Sequence, residues 1–164
     1  MHRAVNKNIN DRQQSWLNAQ KAARPLCWRY TFKGGTVVVI YGIKEHLNPI
    51  KAQLSDVIQA SMNQVLELPE SKRAHRIVPL DKSDFYYPEG RTDAYTVIEI
   101  NMMAGRKVET KKALINALFA NVESSLGILP IDIEITLKEQ PPHCWGFRGM
   151  TGDDVQDLTY KVNV

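Results

Sequence analysis

Two cysteines, Cys27 and Cys144, are all that the 164 residues contain. They stand far apart and make no metal pattern, so neither a disulfide framework nor a zinc site can be built from them. A reduced, cytoplasmic protein without metal or cofactor is the expectation. No apolar run approaches the roughly 20 residues that a membrane-spanning helix needs, and the amino terminus lacks the apolar block and cleavage site of a secretory signal. Acidic residues are scarce at one end only. Residues 1–35 hold Arg3, Lys7, Arg12, Lys21, Arg24, Arg29 and Lys33 against Asp11 alone, so the net charge of +3 is a basic leader on a mildly acidic remainder. A basic arm can attract phosphates, and an Arg-containing, acid-poor leader also resembles a transit peptide. A plain flexible extension, or an upstream segment taken in by an early start, is the stronger reading, and nucleic acid is not the expected partner. What is present, 43% hydrophobic and 24% charged residues, suits a single globular domain with a full core.

An internal repeat organises residues 36–164. Residues 36–42, Thr-Val-Val-Val-Ile-Tyr-Gly, are β-branched and aromatic and read as a buried strand ending on Gly42. Asn48-Pro49 reads as an N-cap and first helical residue, after which Ile50, Leu54, Val57, Ile58, Met62, Val65 and Leu66 recur at helical spacing. Leu68-Pro69 closes that helix, and a short strand follows over residues 74–80. The pattern then returns. Residues 95–103 form a strand with Thr96, Ile98, Ile100 and Met102 on one face, ended by Gly105. Val108, Leu114, Ile115, Leu118, Val122 and Leu126 mark a second helix, with Gly127 as its C-cap. After Leu129-Pro130, Ile131, Ile133, Ile135 and Leu137 alternate with Asp132, Glu134, Thr136 and Lys138 as a half-buried strand. The Leu-Pro pairs lie 61 residues apart and the strand-ending glycines 63 apart.

The fold class expected is α+β: two tandem β-α-β units (36–80 and 94–139) laying four strands in one sheet, both helices on one face. A linker, 81–93, joins them and a tail, 140–164, follows. The linker carries Phe85, Tyr86 and Tyr87, suited to packing over an edge or lining a pocket. The tail carries Trp145 and Phe147 and a last alternating strand with Leu158, Tyr160, Val162 and Val164 on one face. The sheet face without helices is partly apolar, which predicts association into a homo-oligomer, a trimer in this reading.

The run Ala104-Gly105-Arg106-Lys107-Val108-Glu109-Thr110-Lys111-Lys112 resembles the strand-Gly-Arg-helix passage of the tautomerase superfamily. Leu126 to Pro130, the strand over 131–137 and Trp145-Gly146-Phe147 continue the likeness in order. Residues 36–80 resemble the first unit of fused, two-repeat members, the malonate semialdehyde decarboxylase and cis-3-chloroacrylic acid dehalogenase groups among them. The resemblance implies a small pocket in which an amino-terminal proline transfers protons and arginines hold a substrate carboxylate and stabilise enolate charge.

Carried over residue by residue, the proline position falls on Thr36, which is internal. Its nitrogen is an amide, delocalised into the carbonyl. Exposed as a new terminus it would be an amine of pKa about 7.7–8.0, able to activate the threonine hydroxyl. Arg106 matches a substrate arginine, placed to take a carboxylate with its fork beside helix N–H groups. Ala104 replaces the partner arginine of decarboxylase-like members and Lys72 replaces their aspartate, which argues against decarboxylation or hydration. Trp145 and Phe147 match the aromatic pocket wall. His75 is the substitute base by its ordinary pKa, and Arg76 a second carboxylate clamp. The function expected is keto–enol isomerisation of a small 2-oxo acid. The alternative is a non-catalytic oligomeric binding protein that has lost the proline.

Overall fold

The computed structural model describes residues 35–147 and 149–154. The leader before residue 35 and the tail strand expected over 158–164 lie outside the described residues. Four strands, β1 (Thr36–Ile43), β2 (His75–Leu80), β3 (Thr96–Met103) and β4 (Ile133–Gln140), form one sheet in the order β2-β1-β3-β4. The outer pairs are parallel and the central pair β1–β3 is antiparallel, so each β-α-β unit is a half-sheet and the two halves meet back to back. Two helices, α1 (Lys44–Leu66) and α2 (Val108–Leu126), pack against each other and against the sheet. A small hairpin, β5 (Gly146–Phe147) with β6 (Met150–Thr151), follows β4. No helix among the described residues is long and apolar enough to cross a membrane.

The core is built by strand alternation. Ile77, Ile40, Ile98 and Ile135 occupy one row across all four strands. The next row holds His75, Val38, Ile100 and Leu137. Leu47, Leu54, Ile58 and Met62 of α1 and Leu114, Leu118 and Val122 of α2 cover these rows and are fully or nearly fully buried. Val37, Val39, Tyr41 and Val97 have the opposite parity and stand half-buried on the other face.

The repeat is more regular than its sequence landmarks. β1 and β3 are each eight residues long, begin 60 residues apart and share one burial pattern. The helices end, and the short 3₁₀ turns after them begin, at that same offset. Gly42 and Gly105 are therefore not counterparts: Gly42 lies inside β1, paired with Thr96 and Pro79, while Gly105 lies beyond β3. The Leu-Pro pairs are offset too. The counterpart of buried Leu68 is buried Ile128, and Leu129 is exposed.

Two further expectations are corrected. The first helix begins at Lys44, not at Asn48-Pro49, and Pro49 is its sixth residue. The extra turn carries Leu47 into the core, and the carbonyl that Pro49 leaves without a donor belongs to exposed Glu45. The last strand begins at Ile133, not Ile131. Asp132 is buried because its two carboxylate oxygens accept from the Thr92 backbone N–H (2.6 Å) and hydroxyl (2.8 Å), which breaks the alternation and leaves Ile131 55% exposed.

The second unit uses its sixtieth-offset residues differently. Where Lys44–Leu47 is the first helical turn, residues 104–107 form an open loop before α2, with Gly105 at φ +128°. That loop holds Arg106.

Candidate active site

The two ends of the sheet differ in chemistry. At the end where β1 stops and β3 starts, the linker closes the structure. Phe85 and Tyr87 pack against Tyr95 with ring centroids 5.5 Å away, and the Arg91 guanidinium lies 4.8 Å over the Tyr95 ring. Tyr95 donates its hydroxyl to Glu134, and Thr96, the counterpart of Thr36, donates to the Ala94 carbonyl at 2.9 Å. Tyr86 of the same cluster points outward, 90% exposed.

The opposite end is where β1 and β2 start and β3 and β4 finish. Among the described residues, five buried side-chain polar atoms have no hydrogen-bond partner, and four belong here: Thr36 Oγ1, His75 Nε2, Glu139 Oε1 and Trp145 Nε1. Unpaired buried polar atoms cost about 1–3 kcal/mol each. Their concentration at one end makes that end the candidate site.

The strands place these groups. Thr36 opens β1, is 6% exposed and pairs with Met102; Met102 pairs in turn with Glu139. Thr36, Met102 and Glu139 thus form one row on the helix-covered face. Glu139 Oε2 accepts from Lys111 Nζ of the first turn of α2 at 2.8 Å, and both side chains are about a quarter exposed (24% and 26%). Arg106 is 7% exposed and donates from Nη1 to the Met103 carbonyl at 3.0 Å, so its guanidinium is fixed at the end of β3. Met103 N–H donates to the Gly35 carbonyl at 3.3 Å, joining that strand end to the start of β1.

Trp145 closes the same end. A Cβ built on Gly35 would lie 2.7 Å from Trp145 Cε3, so the indole rests on the backbone just before Thr36 and only glycine fits there. Gly152 N–H donates to the Trp145 carbonyl at 2.8 Å, and a Cβ on Gly152 would lie 2.5 Å from the Pro142 carbonyl oxygen. These contacts hold the 141–152 turn over the strand ends. Phe147 is half-buried in β5.

His75 stands on the helix-covered face at the start of β2, paired with Val38, two residues along from Thr36. Ser55 Oγ of α1 lies 2.8 Å from its Nδ1. Burial of the ring, reinforced by the Arg73 charge and opposed by Asp56, pulls its pKa down to about 4, so the imidazole is neutral at pH 7. Since an unfolded histidine titrates near 6.5, the unfolded chain binds the extra proton first. Stability is complete above that value and falls as pH drops from about 6.5 towards 4. Urea unfolding at pH 7 and pH 5 is expected to differ by about 1–2 kcal/mol more in the native sequence than in His75→Asn. Equal differences would show that the ring is not buried in solution.

Thr36, Arg106, Trp145 and His75 are therefore brought to one end. Arg76 lies at the same end but on the other face: it pairs with Val39 and stands exposed, away from the helices, because its parity in β2 is opposite to that of His75. Sequence reading missed Glu139, Lys111 and Ser55. Glu139 had a readable signal. It is the next inward position after Ile133, Ile135 and Leu137, an acid at the end of an apolar stripe. Among the described residues no group of three or more His, Cys, Asp and Glu side chains is placed to hold a metal ion.

Comparison with known proteins gives consistent matches. A family model described as tautomerase enzyme matches residues 72–148. A probable tautomerase, YusQ, of Bacillus subtilis (strain 168) is 30% identical over 100 residues, covering 58% of this chain and 79% of that protein. Among solved structures, a fused 4-OT described as an asymmetric trimer superposes with a TM-score of 0.65 at 23% identity, covering 73% of this chain and 98% of its own. Malonate semialdehyde decarboxylase matches with a TM-score of 0.63 at 18% identity, over 70% and 92% of the two chains. A member of the cis-3-chloroacrylic acid dehalogenase family matches with the same score at 15% identity, over 70% and 82%.

Proposed function

The chain belongs to the tautomerase superfamily, and from that premise we propose that it catalyses keto–enol proton transfer on a small 2-oxo acid at the Thr36 end of its sheet. The observation that carries this is the gathering of unpaired buried polar atoms around Thr36 at the end where Arg106 is fixed. A guanidinium presents a rigid fork of donors suited to a carboxylate. In this reading Arg106 holds the substrate carboxylate, Trp145 and Phe147 form the wall, and neutral His75 is a base within the buried part of the site. Residues 36–164 are the functional unit and 1–35 an extension to it. The half-buried apolar face with Val37, Val39, Tyr41 and Val97 is the surface through which copies assemble, as a trimer. The fused 4-OT relatives described as trimers support that assembly.

The test is ketonisation of phenylenolpyruvate, followed by loss of enol absorbance, with the full-length chain and with a chain starting at Thr36. Turnover is expected in at least one form, faster where the terminal amine is free. Absence of turnover in both, with the folded oligomer verified, would remove the isomerase reading.

A second reading has its own observation. Thr36 follows Gly35 in the chain, so its nitrogen is a peptide amide and the family's usual base is absent. On that reading the fold serves as an oligomeric binding module, and small carboxylates bind without being converted.

A further inference from the structure

Keto–enol conversion moves two protons, one off oxygen and one onto carbon, and the Thr36 amide can carry neither. From the geometry of the row Thr36–Met102–Glu139 we infer that Glu139 is a proton-transferring group of this site. The inference rests on the isomerase reading and names a chemical group within it.

Two features set Glu139 apart from the other acids among the described residues. First, its place: it is the inward residue at the end of β4, separated from Thr36 by the single intervening strand β3. Two inter-strand spacings put their Cα atoms about 10 Å apart, a gap that a small acid bridges once both side chains extend. Second, its two oxygens are unequal. Oε2 is held by Lys111 at 2.8 Å, whereas Oε1 is buried without a donor. A carboxylate that served only as half of an ion pair would gain from turning Oε1 to water, which is available because a quarter of the side chain is exposed.

The chemistry balances without a co-reactant. Glu139 Oε1 accepts the hydroxyl proton of the enol, which leaves an enolate and a protonated Glu139. The enolate collapses to the carbonyl as its C=C electron pair takes that same proton from Glu139 at the adjacent carbon, which restores the carboxylate. Thr36 Oγ1, also without a partner, can donate to the developing oxyanion.

The experiment is steady-state ketonisation of phenylenolpyruvate by Glu139→Gln and Glu139→Asp, in whichever form of the chain turns over, with melting temperatures recorded. The expected result is a fall in kcat of about 100-fold in Glu139→Gln, with Glu139→Asp less affected and both variants folded. A fall below tenfold in folded Glu139→Gln, with the native chain active, overturns this inference and leaves the isomerase reading intact. An inactive native chain overturns both. Should Glu139→Gln fail to fold because Lys111 loses its partner, the double variant Lys111→Met, Glu139→Gln removes the stranded charge and is read by the same thresholds.

Discussion

Replacing Arg106 with alanine is expected to lower kcat/KM for a 2-oxo acid enol by about 100- to 1000-fold. A carboxylate held by a guanidinium fork gains two charge-assisted hydrogen bonds, each worth about 1.5–3 kcal/mol, and both vanish together. Arg106 is suited to this because it is fixed before substrate arrives: 7% exposed, with Nη1 donating to the Met103 carbonyl at 3.0 Å. That same bond brings a structural cost, since alanine removes a hydrogen bond from a charged donor to the Met103 carbonyl, about 1.5–3 kcal/mol. The two contributions separate on Arg106→Lys. Lysine keeps the charge and a donor for Met103 but cannot present the fork, so it should recover most of the stability and little of the activity. Steady-state kinetics with parallel urea unfolding reads both. A change under threefold in kcat/KM for folded Arg106→Ala would place the carboxylate elsewhere.

Ile98→Ala is expected to cost about 3–5 kcal/mol of stability. Ile98 is fully buried in the middle of the row Ile77–Ile40–Ile98–Ile135, with a strand on each side and both helices above. The strands to either side fix the backbone, so the cavity cannot collapse, and Ile→Ala changes in such sites fall in a range of about 2–5 kcal/mol. Against a total stability of about 5–15 kcal/mol this is a large fraction. Val97→Ala, one residue away but half-buried on the other face, should cost far less in the unassociated chain. Chemical denaturation of both variants checks the contrast. Equal costs would mean that the two faces of β3 are not distinguished as described.

Which parts of this were legible in the sequence follows from how local each signal is. β3 was readable because Thr96, Ile98, Ile100 and Met102 alternate without interruption. The end of α2 was readable because Gly127 supplies the left-handed residue that closes a helix, here at φ +68°. The end of α1 has the same geometry at Glu67, φ +53°, and was less visible because glutamate carries no such signal. The start of α1 was misread because Asn48-Pro49 is a strong local mark, overridden by the burial of Leu47. The start of β4 was misread because a buried bond between Asp132 and Thr92, forty residues away in the chain, outweighs the apolar pull of Ile131.

The site divides in the same way. Thr36, Arg106 and Trp145 were named from motifs that lie close to strand or helix ends, and the fold places all three at one end of the sheet. Arg76 lies on the opposite face from His75 because adjacent strand residues point in opposite directions, so the two cannot share a site on one sheet face. Glu139 and Lys111 were missed because their pairing joins a strand end to a helix start 28 residues earlier, which only the assembled fold brings within 2.8 Å.

The asymmetry between the two sheet ends is the central claim, and it is tested most directly by titrating pyruvate into ¹⁵N-labelled protein and mapping amide shifts. The account predicts saturable changes at Gly35, Thr36, Met102, Met103, Arg106, Lys111 and Glu139, with the indole N–H of Trp145 moving among them. Changes centred instead on Tyr95, Thr96 and Asp132 at the linker-closed end, or no saturable change anywhere, would contradict it.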